Sequence, residues 1–372
     1  MSSGYFEIGK PVSDERFFGR EKELDQLAFF LNNNQSIVII APRKYGKTSL
    51  VKKYLSRVTD KLIIEIDLMR YLGKKEIADA IIDKCYENIG TKKAIHQMKS
   101  GMLSFSKKLA SMVKINMGVL ELEGLERFFH TDTMNDDEYL LYAFEFVEKF
   151  SLSTGKKAIF FMDEFAELSK FSDTAIMGQL RSIIQHQQHT AYIFAGSQPT
   201  LMNTLFLDKN EPFFKFATVL TLGAIDEKSF LEYARMLFEK EKMICDDEFI
   251  VDIYTFCGGV AYYLSLSMMF LWMMKPSKCT PQIINEVQSK VLEVSAFGFE
   301  NEIIALKRRK YFLEIVLIIA NGTNPYTLKT TQRQNINTIL KSLELDGTIL
   351  KKSDGFVLSD TVFGKYLCSV MG

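Results

Sequence analysis

Residues 36–55 read SIVIIAPRKYGKTSLVKKYL, and the fold prediction starts from this stretch. Its four consecutive β-branched residues, Ile37–Ile40, are typical of a strand that is buried on both faces of a parallel sheet. After a short loop, apolar residues recur at helical spacing: Leu50, Val51, Tyr54, Leu55 and Val58. The stretch therefore predicts a strand, a loop and a helix in that order.

The loop between the strand and the helix carries the pattern of a phosphate-binding P-loop, with Ala41 in place of the usual first glycine. Backbone N–H groups of such a loop converge at a helix N-terminus and form a socket for a polyphosphate. Lys47 is predicted to reach the β- and γ-phosphates, and the Thr48 hydroxyl to ligate Mg²⁺. A chance match to a loosened motif is the alternative. The predicted nucleotide-binding residues of the loop are Pro42, Arg43, Lys44, Tyr45, Gly46, Lys47, Thr48 and Ser49.

Composition and charge are those of an ordinary globular protein of two or three domains. The 372 residues are 47% hydrophobic, and 46 basic residues balance 46 acidic ones, so net charge predicts neither a nucleic-acid nor a membrane partner. The five cysteines form no CxxC pair, which favours a reducing compartment over a disulfide framework or a zinc site. The N-terminal residues contain no apolar core of signal-peptide length, and no apolar run is long enough to span a bilayer. We expect a cytoplasmic protein without a membrane partner.

A second strand is predicted at residues 62–66, and the apolar strand after it, residues 158–162, ends in Asp163 and Glu164. After a P-loop, this arrangement predicts the other half of an ATPase site, with Asp163 holding Mg²⁺ and Glu164 polarising the attacking water. A helix cap or turn is the alternative interpretation. A further strand, residues 192–195, ends in Gly196-Ser197-Gln198, and we expect Ser197 and Gln198 to sense the γ-phosphate or that water. The predicted catalytic residues are Lys47, Glu164, Ser197 and Gln198.

Two further segments carry a family resemblance. Residues 17–24, FFGREKEL, resemble the N-terminal box of the archaeal-type ATPases, a branch of the AAA+-like signal-transduction ATPases, and GSQPTLM at 196–202 is similar to their GSxxxxM element. The resemblance implies an α/β P-loop NTPase core with a parallel sheet, an all-α lid and a C-terminal winged helix. It also implies that Phe18, Gly19 and Arg20 contact the base or ribose.

The sequence departs from the family pattern at two places. Phe216 stands where family members carry an arginine before the last core strand, and neighbouring Lys215 lacks the planar fork of an arginine. Ala261 replaces the proline of a GxP element beside the adenine, so Gly259 and Tyr262 are candidate lid contacts, with a plain helix–turn–helix junction as the alternative. The first departure predicts slow turnover.

The resemblance and the helix and strand patterns together predict three domains. They are a P-loop ATPase core at 1–222 with an insertion near 90–135, a helical lid at 223–295 and a winged-helix domain at 296–372. The insertion is predicted to hold a basic helix near residues 92–112 and a short hairpin. The lysines of this helix could line a partner surface, or they could form a solvated helix face. A long apolar helix is predicted from Glu302 to Ala320.

The C-terminal region has a local surplus of positive charge, with ten basic and six acidic residues between 301 and 372. Such a surface could contact DNA through phosphates and base edges, or it could dock a protein. The candidate contact residues on a recognition helix and a wing are Arg333, Asn337, Thr338, Lys341, Lys351 and Lys352.

The sequence therefore predicts an ATP-binding switch that hydrolyses ATP slowly, with Mg²⁺ as cofactor and ATP and ADP as ligands. The alternative is a nucleotide-gated DNA-binding or protein-docking module that holds ATP without turnover. A GTPase is disfavoured because the sequence has no Asn-Lys-x-Asp guanine reader. The sequence does not indicate an oligomeric state.

Overall fold

The computed structural model describes residues 17–88, 134–329, 331–353 and 355–371. The helix predicted for residues 92–112 and the hairpin after it lie outside these described residues. In chain order the elements up to the last core strand are α1 (Glu21–Asn32), β1 (Ile37–Ile40), α2 (Lys47–Leu55), β2 (Leu62–Asp67), α3 (Lys74–Glu87), α4 (Asp136–Thr154), β3 (Ala158–Asp163), α5 (Leu168–Phe171), α6 (Thr174–Gln185), β4 (Thr190–Gly196), α7 (Pro199–Leu207) and β5 (Thr218–Thr221).

The five strands form one parallel sheet in the order β2-β3-β4-β1-β5. β1 lies between β4 and β5, in register with Ile193 to Gly196 on one side and with Thr218 to Thr221 on the other. All strands run the same way, so the residues that follow β1, β3 and β4 meet at one edge of the sheet. The predicted α/β class with a parallel sheet is confirmed.

Both faces of the sheet are covered, which explains why β1 is apolar throughout. Ile37 and Ile39 belong to a core on the side of α1 and α2, whereas Val38 and Ile40 belong to a core on the side of α3 and α4. Side chains alternate along a strand, so a strand between two helical layers must be apolar at every position.

Four helices follow β5: α8 (Glu227–Glu241), α9 (Asp247–Cys257), α10 (Ala261–Met274) and α11 (Pro281–Lys307). We call them the helical segment. Asp226 caps α8 by accepting the Ser229 N–H, and Thr280 caps α11 by accepting the Ile283 N–H. This region is helical as predicted, although α11 runs without a break through residues 295 and 296, where a domain boundary was predicted.

The C-terminal segment, residues 312–371, comprises α12 (Phe312–Ala320), α13 (Arg333–Leu345), β6 (Ile349–Lys352), β7 (Gly355–Leu358) and α14 (Thr361–Met371). β6 and β7 form an antiparallel hairpin. The predicted continuous helix from Glu302 to Ala320 is wrong, because α11 ends at Lys307 and α12 begins at Phe312. Tyr311 between them has φ 67°, a left-handed conformation that a right-handed helix of L-residues cannot contain.

Candidate functional site

The phosphate loop lies between β1 and α2 and presents a concave row of backbone N–H groups. Lys44 and Gly46 have φ 71° and 91°, and alternation of left-handed with right-handed residues turns successive N–H groups to one side. Within the described chain, the N–H groups of Arg43, Lys44, Tyr45 and Gly46 donate to no protein acceptor. The loop leads directly into the N-terminus of α2, which begins at Lys47. The loop is therefore shaped to receive an anion.

Lys47 is the cation at the centre of this loop. Only 7% of the residue is exposed, and its Nζ donates to the carbonyl oxygen of Ala41 at 3.2 Å. Burial lowers the pKa of Lys47 below its ordinary value, whereas the neighbouring carboxylates of Glu164 and Asp163 act in the opposite direction. A buried ammonium with a single carbonyl partner retains donors for an incoming phosphate.

Thr48, in the first turn of α2, meets Asp163 at the carboxyl end of β3. The Thr48 hydroxyl donates to Asp163 Oδ2 at 2.6 Å. Burial raises the pKa of Asp163, and the hydrogen bond from Thr48 acts against that rise. Asp67, at the end of β2, lies in register with Asp163 and also raises its pKa. A hydroxyl and a carboxylate at this distance suit a Mg²⁺ ion, which takes few protein ligands and keeps several waters.

Glu164 is held by Ser197. The backbone N–H and the hydroxyl of Ser197 both donate to Glu164 Oε2, at 2.9 and 2.8 Å. Glu164 itself has φ 54°, an uncommon conformation for a residue with a β-carbon. Its N–H donates to Asp163 Oδ1 at 3.1 Å. The end of β4 thus fixes the carboxylate that follows β3.

These groups line one cavity of 860 Å³ at the carboxyl edge of the sheet. The predicted site residues among its walls are Arg43, Lys44, Gly46, Lys47, Thr48, Ser49, Asp163, Glu164, Ser197 and Tyr262. Pro42, Tyr45 and Gln198 are not among the described residues that line it. Gly259 packs instead against Ala224 and Ile225, and its carbonyl accepts the Ile225 N–H.

Phe18, Gly19 and Arg20 lie behind the phosphate loop. The ring of Phe18 stacks on Tyr233 of α8 with centroids 4.3 Å apart, and Phe18 and Gly19 line a separate cavity of 560 Å³. Arg20 is buried and donates to the carbonyl oxygens of Tyr45 and Gly223, at 3.3 and 2.6 Å. Arg20 thereby supports the loop from its outer side, and the predicted contacts with a base stay predictions.

Neither Lys215 nor Phe216 is among the described residues that line the phosphate-loop cavity. Phe216 packs edge-on against the rings of Phe194 and Phe213, with centroids 6.0 and 5.7 Å apart. The Lys215 ammonium lies 5.1 Å from the ring centroid of Phe214. The place of the family arginine is thus occupied by an aromatic side chain that joins the core.

Sequence reasoning missed three residues that touch the phosphate loop. The Lys44 ammonium donates to Tyr263 Oη and to Asp360 Oδ2, and the Tyr45 hydroxyl donates to the carbonyl oxygen of Ser359. Ser359 and Asp360 precede α14 in the C-terminal segment. Their position before a helix signals only a cap, and no local pattern indicates a partner more than 300 residues away.

Comparison with known proteins identifies a matching family and solved structures of similar fold. The sequence matches the model of a family described as an ATPase domain predominantly from Archaea, over residues 17–266. A Walker-type ATPase of Pyrococcus abyssi is similar in structure, with a TM-score of 0.71 and 17% identity over 98% of this chain and 99% of that one. The ORC2 protein of Aeropyrum pernix, in ADPNP–ADP complexes, gives a TM-score of 0.58 and 13% identity over 99% and 100% of the two chains. No curated protein sequence matches. Across the described residues, every helix is too short or too polar to cross a membrane.

Proposed function

The chain belongs to the family of ATPase domains found predominantly in Archaea, and from this membership we propose that it is a molecular switch that binds ATP and hydrolyses it slowly. The observation that carries the proposal is the convergence of the unpaired loop N–H groups with Lys47 and with the Thr48–Asp163 pair at 2.6 Å. One socket for an anion and one oxygen pair for a hard cation lie side by side, as Mg-ATP requires.

The residues fit a nucleoside triphosphate and Mg²⁺. The backbone N–H groups of residues 43–46 would hold phosphate oxygens, and Lys47 would exchange the Ala41 carbonyl for a phosphate. Thr48 and Asp163 would hold Mg²⁺, the latter through a water. When bound, Mg²⁺ would neutralise part of the negative charge of the phosphates. We also propose, on the basis of the family, that the bound nucleotide is ATP and not GTP.

Glu164 would act as the general base that accepts the proton of the attacking water. Ser197 donates twice to one oxygen of that carboxylate, which keeps the carboxylate oriented. The position before β5 supplies no arginine, because Phe216 packs into the core. The missing positive charge favours slow turnover.

The alternative is that ATP is held and not turned over. Two measurements on purified protein distinguish slow ATP hydrolysis from ATP binding without hydrolysis. Bound nucleotide is released by denaturation and identified by chromatography, and phosphate release is then timed in a single turnover with excess protein. Stoichiometric nucleotide with phosphate release over minutes supports the slow switch, whereas nucleotide without phosphate release supports the holding module. Protein that contains and binds no nucleotide contradicts both.

A second function rests on the C-terminal segment, which we propose to be a winged-helix domain that binds DNA. The candidate contact residues are exposed, four of them on α13 and two on the β6–β7 hairpin: Arg333, Asn337, Thr338, Lys341, Lys351 and Lys352. The Tyr326 hydroxyl donates to Asn337 Oδ1 at 2.6 Å, and Arg333 lies over the Tyr326 ring. A helix face with such groups can contact phosphates and base edges. A protein partner is the other outcome of the DNA-binding test.

We also propose the division into an ATPase core at 1–222, a helical lid at 223–295 and a C-terminal domain at 296–372. We propose a cytoplasmic location because all five cysteines are free thiols in the structure, as is usual in a reducing compartment.

A further inference from the structure

The side chain of Lys44 connects the phosphate loop to the C-terminal segment. Its Nζ donates to Asp360 Oδ2 at 2.7 Å and to Tyr263 Oη at 2.5 Å, and Tyr263 Oη donates to the same Asp360 oxygen at 2.6 Å. The rings of Tyr262, Tyr263 and Phe299 surround the ammonium at 5.6, 4.7 and 5.3 Å from their centroids. Lys44 is thus held by a carboxylate, a hydroxyl and three aromatic rings.

The backbone of Lys44 explains why such support is needed. Its φ of 71° lies in the left-handed region, which is costly for a residue with a β-carbon. The same conformation turns the loop N–H groups toward the anion socket. Two further contacts hold the loop: the Tyr262 N–H donates to the Lys44 carbonyl oxygen at 3.1 Å, and the Tyr45 side-chain hydroxyl donates to the Ser359 carbonyl oxygen at 3.3 Å.

We propose that Asp360, supported by Tyr263, is a positioning residue for nucleotide binding that keeps Lys44 in its left-handed conformation and so keeps the phosphate loop open for phosphate. The inference rests on the proposed ATP binding and adds the C-terminal segment to the nucleotide site. It also requires reciprocity. If docking of Asp360 favours nucleotide binding, nucleotide binding must tighten the docking of the C-terminal segment by the same factor.

The two oxygens of Asp360 have separate tasks, and this makes the test sharp. Oδ1 accepts the Phe363 N–H at 3.0 Å and caps α14, whereas Oδ2 faces Lys44 and Tyr263. Asparagine is as good a helix cap as aspartate. Asp360→Asn therefore preserves the cap and removes the charge that holds Lys44.

The experiment measures Mg-ADP and Mg-ATP affinity of the full chain by calorimetry. We expect Asp360→Asn to weaken both by about tenfold, with a thermal midpoint close to wild type. The matched control is Asp346→Asn, which breaks an ion pair of the same 2.7 Å length to Arg309, and its nucleotide affinity should equal that of wild type. Tyr263→Phe retains the ring and loses the hydroxyl, and we expect about threefold weaker binding. This variant provides the readout if Asp360→Asn fails to fold.

Lys44→Gly tests whether Asp360 acts through Lys44, because this variant removes the side chain that Asp360 holds. Glycine adopts positive φ without the β-carbon penalty, so nucleotide affinity in the Lys44→Gly background should no longer depend on Asp360. Hydrogen exchange supplies the reciprocal readout: Mg-ADP should slow amide exchange in α14 of wild type and leave that of Asp360→Asn unchanged.

Two results overturn the inference. One is wild-type affinity in Asp360→Asn, and the other is an equal loss of affinity from Asp360→Asn with and without Lys44→Gly. Failure of the proposed function has a different signature, because wild type itself would then bind neither Mg-ADP nor Mg-ATP.

Discussion

The amide and the hydroxyl of Ser197 donate to a single carboxylate oxygen of Glu164, at 2.9 and 2.8 Å. Among the described residues, both side-chain hydrogen bonds of the Glu164 carboxylate go to Oε2, which leaves Oε1 available to accept from a water. The pair also joins the end of β4 to the residue after β3, next to Asp163. Any movement of Ser197 would therefore change the orientation of the Glu164 carboxylate.

Glu164→Gln should retain Mg-ATP affinity and lose phosphate release by at least about tenfold. The glutamine amide oxygen can accept both Ser197 hydrogen bonds, so the geometry is preserved, but an amide does not accept a proton from water. Glu167→Gln, at a half-buried carboxylate paired with exposed Lys170, is the matched control and should hydrolyse ATP at the wild-type rate. Equal phosphate release by wild type and Glu164→Gln would show that Glu164 is not the base.

Lys47→Ala should weaken Mg-ATP binding by about a hundredfold or more, because no other buried cation faces the loop N–H groups in the described chain. Lys52→Ala is the control. Lys52 lines the rim of the same cavity, is exposed and lies 3.8 Å from Glu65, so its loss should change affinity less than about threefold. Calorimetry on the two variants decides the question, and unchanged affinity in Lys47→Ala would contradict the P-loop assignment.

The parts of the site that the sequence predicted are those that local chemistry determines. Four apolar residues at 37–40 require burial on both faces, and the glycine at 46 and the strand-ending Asp163 follow from loop and strand geometry. The parallel sheet then brings these local pieces to one edge without further information. For this reason Lys47, Thr48 and Asp163 lie together as predicted.

The contacts that the sequence could not predict join residues far apart in the chain. Asp360 has the pattern of an ordinary helix cap, and its second oxygen meets Lys44 only because the C-terminal segment folds back onto the loop. The contacts of Arg20 are also between distant residues, because its guanidinium donates to the carbonyl oxygens of Tyr45 and Gly223. The break at Tyr311 was missed because apolar spacing continues on both sides of it.

Because of Glu302, we expect the protein to be more stable at mildly acidic pH than at pH 8. Burial, followed by the nearby Asp360 carboxylate, raises the pKa of Glu302 to about 7 from 4.5, and Lys44 and Arg43 act against the rise. Between those values the folded chain holds a proton that the unfolded chain has released, so stability falls as pH rises through this window. Glu302→Gln should therefore be about 1–2 kcal/mol more stable than wild type at pH 8.

The check is a urea titration of both proteins at pH 5 and pH 8. The advantage of Glu302→Gln should shrink toward pH 5, where wild-type Glu302 is largely protonated. Glu300→Gln, an exposed neighbour on the same helix, should show no such pH-dependent difference. A constant difference between Glu302→Gln and wild type across this range would mean that Glu302 titrates normally.

If the C-terminal segment binds DNA, Lys351 and Lys352 on the β6–β7 hairpin should contact phosphates. Both side chains are exposed, and neither lies on the α13 face that would meet base edges. Replacing both by Ala should weaken binding about equally on unrelated duplexes and reduce the slope of log affinity against log salt by roughly two. Fluorescence anisotropy of labelled duplex, at two salt concentrations and with and without ATP, measures both quantities.

A second lysine pair separates this effect from a general loss of charge. Lys156 and Lys157 are adjacent and exposed like the hairpin pair, but they precede β3 at the amino edge of the sheet, opposite the nucleotide site. Their double alanine variant removes the same net charge, so long-range attraction alone would weaken DNA binding equally in both double variants. Direct phosphate contact predicts a loss confined to the hairpin variant. Absence of binding at low salt in either nucleotide state would instead make this segment a surface for docking a protein.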